Sequence, residues 1–131
     1  MCNILNKIKD ANESILLVDD FVDEETLSLL NEKKTDVRVE IISRNRLMTN
    51  IKNVRRRQSF KAGFKFIESN IFRNRYVLID GKILYLLSRS LKFNAKRNFY
   101  FIPILDKDHL CDFNRNVLGC EKQSKNIYRH F

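Results

Sequence analysis

The chain has no tryptophan, one proline and three glycines among its 131 residues. So little punctuation excludes collagen-like, linker-like and low-complexity architectures and predicts regular elements joined by short turns. Histidine is almost as scarce, with only His109 and His130. Cysteine occurs three times, as Cys2, Cys111 and Cys120. An odd count gives no disulfide framework, and the expectation is reduced thiols in a cytoplasmic setting. His109, Cys111, Cys120 and His130 lack the close ligand pairs of a zinc site, so neither a metal nor a cofactor is expected. No apolar run approaches the roughly 20 residues that span a bilayer. The stretch Met1 to Lys7 has no apolar core of the secretory kind.

What is present is apolar residues at 44%, ten phenylalanines and a net charge of +9. That apolar content belongs to a globular chain, and the length suits one domain over residues 1–131. A core over about 3–104 and a helical tail over about 105–131 are expected. The charge is unevenly spread: residues 1–32 carry −6, residues 33–65 carry +9 and residues 73–97 carry +6. Basicity concentrated in this way favours a polyanionic partner such as nucleic acid.

Hydrophobic periodicity predicts alternating elements. Ile4, Leu5 and Ile8 share one side of a short helix over 3–12. Ile15 to Val18, closed by Asp19 and Asp20, reads as a buried strand. Asp23-Glu24-Glu25 opens a helix running to about Lys34, with charges suited to its dipole. Strands follow at Val37–Ser43 and Phe64–Ile67, with a basic helix expected between them over 45–61. Tyr76–Asp80 and Lys82–Leu87 form a hairpin about Asp80-Gly81. A short helix over 90–97, a strand over 98–104 and a helix from Asp106 complete the pattern. The class is α/β, a single-domain sandwich with a central mixed sheet flanked by helices.

One stretch carries chemistry: Phe72-Arg73-Asn74-Arg75-Tyr76-Val77-Leu78-Ile79-Asp80, followed by Ser88-Arg89-Ser90-Leu91-Lys92. It resembles the motif pair of the phospholipase D superfamily, a His-x-Lys, four residues, an Asp, and a trailing Ser. Arg75 takes the Lys position, Asp80 the Asp position and Ser90 the trailing Ser. The order of elements over roughly 3–104 is similar to that of small phospholipase D-like domains. The resemblance implies an α/β sandwich and a phosphate-binding site of Arg73, Arg75 and Ser90, with Asp80 holding a neighbouring cation in register. It implies a homodimer too, since the family site is built from two motif copies and this chain has one.

The resemblance also implies lost chemistry. The family's nucleophile is a neutral imidazole, and Arg73 stands there. Guanidinium stays protonated and only donates hydrogen bonds, so it cannot attack phosphorus. Asn74, Ser88 and Arg89 depart from the family pattern as well.

Basic side chains outside the motif extend the expectation. Arg55, Arg56 and Arg57 form the densest run, and Lys52, Arg89 and Lys92 are further candidates for a nucleic-acid backbone. Phe60, Phe64 and Phe66, interleaved with Lys61 and Lys65, fit base stacking or an ordinary core. The expected function is a catalytically degenerate domain that binds nucleic acid or another phosphate-bearing partner. The alternatives are an active phosphodiesterase or nuclease with a non-standard or partner-supplied nucleophile, and a non-catalytic interaction or regulatory module.

Overall fold

The structure is a computed structural model that describes residues 3–44, 63–123 and 129–130. The helix expected over 45–61, with Lys52, Arg55, Arg56, Arg57 and Phe60, lies outside the described residues. In chain order the elements are α1 (Ile4–Asp10), β1 (Ser14–Val18), α2 (Glu24–Leu30), β2 (Arg38–Ser43) and β3 (Phe64–Glu68). They continue with β4 (Arg75–Ile79), β5 (Ile83–Leu87), a 3-10 turn (Leu91–Phe93), β6 (Phe101–Pro103), α3 (Lys107–Gln123) and β7 (Arg129–His130). The strands form one mixed sheet in the order β6-β5-β4-β1-β2-β3-β7. β1, β2 and β3 run parallel, and the remaining pairings are antiparallel.

The apolar run of β1 is explained by its central place, buried on both faces. Ile15 and Leu17 point to the side covered by α1 and α2, where they meet Ile4, Ile8, Leu27 and Leu30. Leu16 and Val18 point to the other side, where α3 contributes Phe113 and Cys120. Side chains of a strand alternate between faces, so one run serves two cores. Phe64 and Phe66 lie in the first core, which makes them packing residues rather than base-stacking ones. Each large side chain so buried contributes about 1.5–3 kcal/mol.

Caps fix the helix starts. The Asn3 side chain accepts from Asn6 N–H at α1. Asp23 and Thr26 form a reciprocal capping box at α2, and Glu24 and Glu25 complement the positive end of that helix. α2 stops at Leu30, short of the expected Lys34. Lys33 turns inward instead, fully buried, and its Nζ donates to the Lys34 and Thr35 carbonyls at 3.3 Å each. Those carbonyls belong to the turn between α2 and β2, so the buried ammonium is satisfied by backbone acceptors.

The Asp80-Gly81 hairpin is present, with φ of 56° at Asp80 and 66° at Gly81. Two successive left-handed residues are what a tight two-residue turn between twisted strands requires. Besides α2, three elements differ from the sequence expectation. The helix over 90–97 shrinks to the single 3-10 turn, and the strand over 98–104 to three residues. β7 was not anticipated; it is two residues of polar sequence beside β3, too short to show a period. No helix among the described residues is long and apolar enough to cross a membrane.

Candidate functional site

β1, β2 and β3 all end on the same rim of the sheet, where β4 begins. The carboxyl ends of parallel strands are where open α/β sheets place their ligands, because the turns that follow can vary without disturbing the sheet. A cavity of about 90 Å³ opens on this rim. Its lining includes Asp19 and Asp20 after β1, Ser43 and Arg44 at the end of β2, and Ser69 after β3. Phe72, Arg73, Asn74 and Arg75 close it from the β4 side. Arg73 and Arg75 thus share one cavity, as their two-residue spacing implied. Arg44 joins them, a residue the motif did not include; its only sequence signal is its place just beyond an apolar strand.

Arg75 is the hinge of the site. Its Nε lies 3.1 Å from Asp20 Oδ1 and 3.7 Å from Asp19 Oδ1. Neither contact lies along the N–H axis, so Arg75 Nε and Asp20 Oδ1 are buried atoms without a hydrogen bond among the described residues. The pairing is therefore a charge contact that leaves donor capacity in place. Around the cavity three guanidinium groups face two carboxylates, which leaves the rim positive.

Asp19 is buried and organises what surrounds it. It accepts from Ser90 Oγ at 2.9 Å, from Leu91 N–H at 2.8 Å and from Phe21 N–H at 3.0 Å. Burial pushes its carboxyl above the ordinary carboxylate range, while those three bonds and the Arg75 charge pull the other way.

The structure keeps Arg73 and Arg75 together and leaves Ser90 and Asp80 out of the lining of the arginine cavity. Ser90 is buried, and its hydroxyl is engaged with Asp19 and with the Phe21 carbonyl at 3.0 Å. It holds Asp19 rather than lining the arginine cavity. Asp80 lies at the far end of β4 from Arg75. Its carboxylate accepts from Asn12, Glu13 and Ser14 N–H, at 3.0, 2.7 and 3.2 Å to Oδ1. The expected cation in register with Asp80 is replaced by these three backbone donors, which clamp the start of β1 to the hairpin. Burial opposes the Asp80 charge, but the three donors and Lys82 outweigh it and hold the carboxyl below its ordinary value.

Arg89 and Lys92 lie next to the cavity, and both are already engaged. Arg89 NH1 donates to Asn98 Oδ1 at 2.6 Å, and its guanidinium covers the Phe93 ring at 4.3 Å. Lys92 Nζ sits 3.0 Å from Asp23 Oδ2 and 3.7 Å from the centre of the Phe21 ring. His109 is not part of the lining; it stands on the first turn of α3, its Nε2 2.9 Å from the Tyr76 hydroxyl. Cys111 is exposed and Cys120 buried, and no cluster among the described residues is suited to hold a metal.

No protein-family model matches the chain, and no curated protein matches it in sequence. Solved structures do match. NucT from Helicobacter pylori superimposes with a TM-score of 0.59 at 14% identity, over 91% of this chain and 85% of that one. TrmBL2, an archaeal chromatin protein with a novel mode of DNA binding, gives 0.54 at 15% identity, over 92% of this chain. The chain spans about half of TrmBL2, 48% of its length. Identities this low bear on architecture alone, and the shared architecture is the one the sequence predicted, a single α/β domain around a mixed sheet.

Proposed function

We propose that this is a catalytically degenerate phospholipase D-like protein that binds nucleic acid through its backbone phosphates. The observation that carries the reading is the meeting of Arg44, Arg73 and Arg75 around one cavity. A volume of about 90 Å³ suits a phosphate group rather than a drug-sized ligand. Guanidinium groups are the side chains best matched to phosphate oxygens, and Arg75 Nε is a buried donor without an acceptor. Arg89, which lines the adjoining cavity, would extend the positive surface, and the basic run of Lys52, Arg55, Arg56 and Arg57 adds to the charge that attracts a polyanion. Among known folds of this kind, the DNA-binding TrmBL2 fits the same reading.

The lining supports a loss of catalysis. By the resemblance Arg73 stands at the nucleophile position, and no imidazole lines the cavity among the described residues. Phosphoryl transfer by this family's route needs a neutral nitrogen nucleophile, and a protonated guanidinium has no lone pair to offer. The site can grip a phosphate without cleaving it. A second copy across a two-fold axis would double the grip, as the single motif implies. Few of the aromatic residues near the motif are free to serve such an interface. Tyr85 is buried in the first core, Phe99 and Phe101 pack against it, and Tyr100 remains exposed.

The test is binding of an oligonucleotide across a salt series, with hydrolysis of a model phosphodiester measured in parallel. Binding should weaken steeply with salt, and Arg75→Ala should both weaken it and flatten the slope by about one phosphate. No turnover is expected. Absence of binding at about 50 mM salt would overturn the reading. So would turnover that vanishes in Arg75→Ala, which would favour an active phosphodiesterase.

A further inference from the structure

A second cavity, of about 250 Å³, adjoins the first. It is lined by Phe21, Arg75, Ser88, Arg89, Ser90 and Phe93. Arg75 lines both cavities, so its side chain is the wall between them. We propose that this second cavity is a nucleobase subsite, and that the chain therefore takes single-stranded nucleic acid in preference to a duplex. The inference rests on the phosphate-binding reading above and names the class of ligand that the same site accepts.

The two phenylalanines carry the argument. Phe21 is 54% exposed, on the turn after β1, where no core needs it. Its exposure leaves a ring available to a ligand at the cavity's edge. Both rings are held in place by cations. Lys92 Nζ stands 3.7 Å from the Phe21 centroid and is itself anchored by Asp23 at 3.0 Å. The Arg89 guanidinium stands 4.3 Å from the Phe93 centroid and is anchored by Asn98 at 2.6 Å. A ring fixed in this way loses little freedom on binding, which is what makes a good stacking platform. The Arg89 plane is a stacking surface of its own.

Geometry then selects the ligand. A polar, phosphate-sized cavity and an aromatic cavity on either side of one arginine match the two ends of a nucleotide, phosphate and base. In a duplex the base is paired and stacked inside the helix, out of reach of such a shelf unless it is flipped out. In a single strand the base is free to leave its neighbours and lie on an aromatic ring. The pair was not visible in the sequence, because Phe21 and Phe93 belong to distant segments that meet through tertiary contacts, Ser90 and Leu91 on Asp19 and Lys92 on Asp23.

The experiment measures fluorescence anisotropy of three labelled probes at one salt concentration, with the intact chain. The probes are an oligothymidylate about 12 nucleotides long, an abasic chain with the same number of phosphates, and a blunt duplex. The oligothymidylate should bind on the order of tenfold tighter than the abasic chain. Phe21→Ala should remove most of that difference, leave abasic binding unchanged, and be rescued by Phe21→Trp. Because Phe21 is exposed, its unfolding midpoint should stay that of the parent; Phe93→Ala gives an independent second variant. Equal binding of oligothymidylate and abasic chain, both weakened by Arg75→Ala and neither by Phe21→Ala, would overturn the subsite and leave the phosphate grip standing. Tighter binding of the duplex would also overturn it. Failure of all three probes to bind would remove the phosphate reading itself.

Discussion

Ser90 Oγ donates to Asp19 Oδ2 across 2.9 Å, joining positions 71 apart in the chain. The bond holds the segment after β5 against the end of β1, with Leu91 N–H on the same carboxylate oxygen at 2.8 Å. It therefore sets the distance between the arginine cavity and the Phe21–Phe93 shelf. The trailing serine of the motif acts here through the acid it holds.

Ser90→Ala should lower stability by about 1–2 kcal/mol, since it removes one buried, charge-assisted bond. Asp19→Ala should cost more, about 3 kcal/mol, because it strands the donors of Ser90, Leu91 and Phe21 and leaves Arg75 facing Asp20 alone. Denaturant unfolding measures both. Asp19→Ala equal to the parent would mean that the junction contributes nothing.

Asp20 competes with any anion for Arg75, at 3.1 Å from its Nε. Asp20→Asn removes that charge while keeping the shape. Oligonucleotide binding should tighten by about two- to fivefold, the scale of a partly exposed ion pair. A titration at fixed salt reads this, and weakened binding would mean that Asp20 positions Arg75 productively instead of restraining it.

Asp80 clamps the opposite end of β4, so Asp80→Ala should cost about 1–2 kcal/mol, a figure kept low by the partial solvation of the turn. It should leave oligonucleotide binding unchanged. Its folded carboxyl sits below the ordinary 3.8, so its contribution is present above that pH and is lost as pH falls through the lower folded value. Acid unfolding of Asp80→Asn should accordingly show a shallower loss below about pH 4.

Glu40 has the reverse sign. Burial first, and then the nearby Glu121 charge, push its carboxyl from 4.5 to about 7, against the pull of Lys65 at 3.3 Å. Protonated Glu40 can share its proton with Glu121; ionised, its Oε2 is buried without a donor. The stabilising contribution is fully present below about 4.5 and is lost as pH rises through about 7. Glu40→Gln should flatten the stability profile between those values and be the more stable form at pH 8. An unchanged slope in calorimetry would show that the pair is solvated.

The amino-acid sequence alone determined the α/β class, the central strand β1, the Asp80-Gly81 hairpin and the shared place of Arg73 and Arg75. Each is a local property: an apolar run, a turn dipeptide, a two-residue spacing. That a guanidinium, Arg73, and not an imidazole stands two residues before Arg75 was legible in the same way, as the identity of one residue. Tertiary structure alone decided what those residues do. Asp80 and Ser90 look like ligand-binding residues in the motif, yet the fold spends Asp80 on the backbone of β1 and Ser90 on Asp19. Arg44, Asp19, Asp20, Phe21 and Phe93 come to the site from three separate segments. β1 and β2 end on one rim because they pair in parallel, and Phe93 is brought near Phe21 as the buried Asp19 is satisfied by donors from across the chain, with Lys92 on Asp23 beside it. Long-range pairing and the burial of a charge leave no period in a sequence, and those two facts built the site.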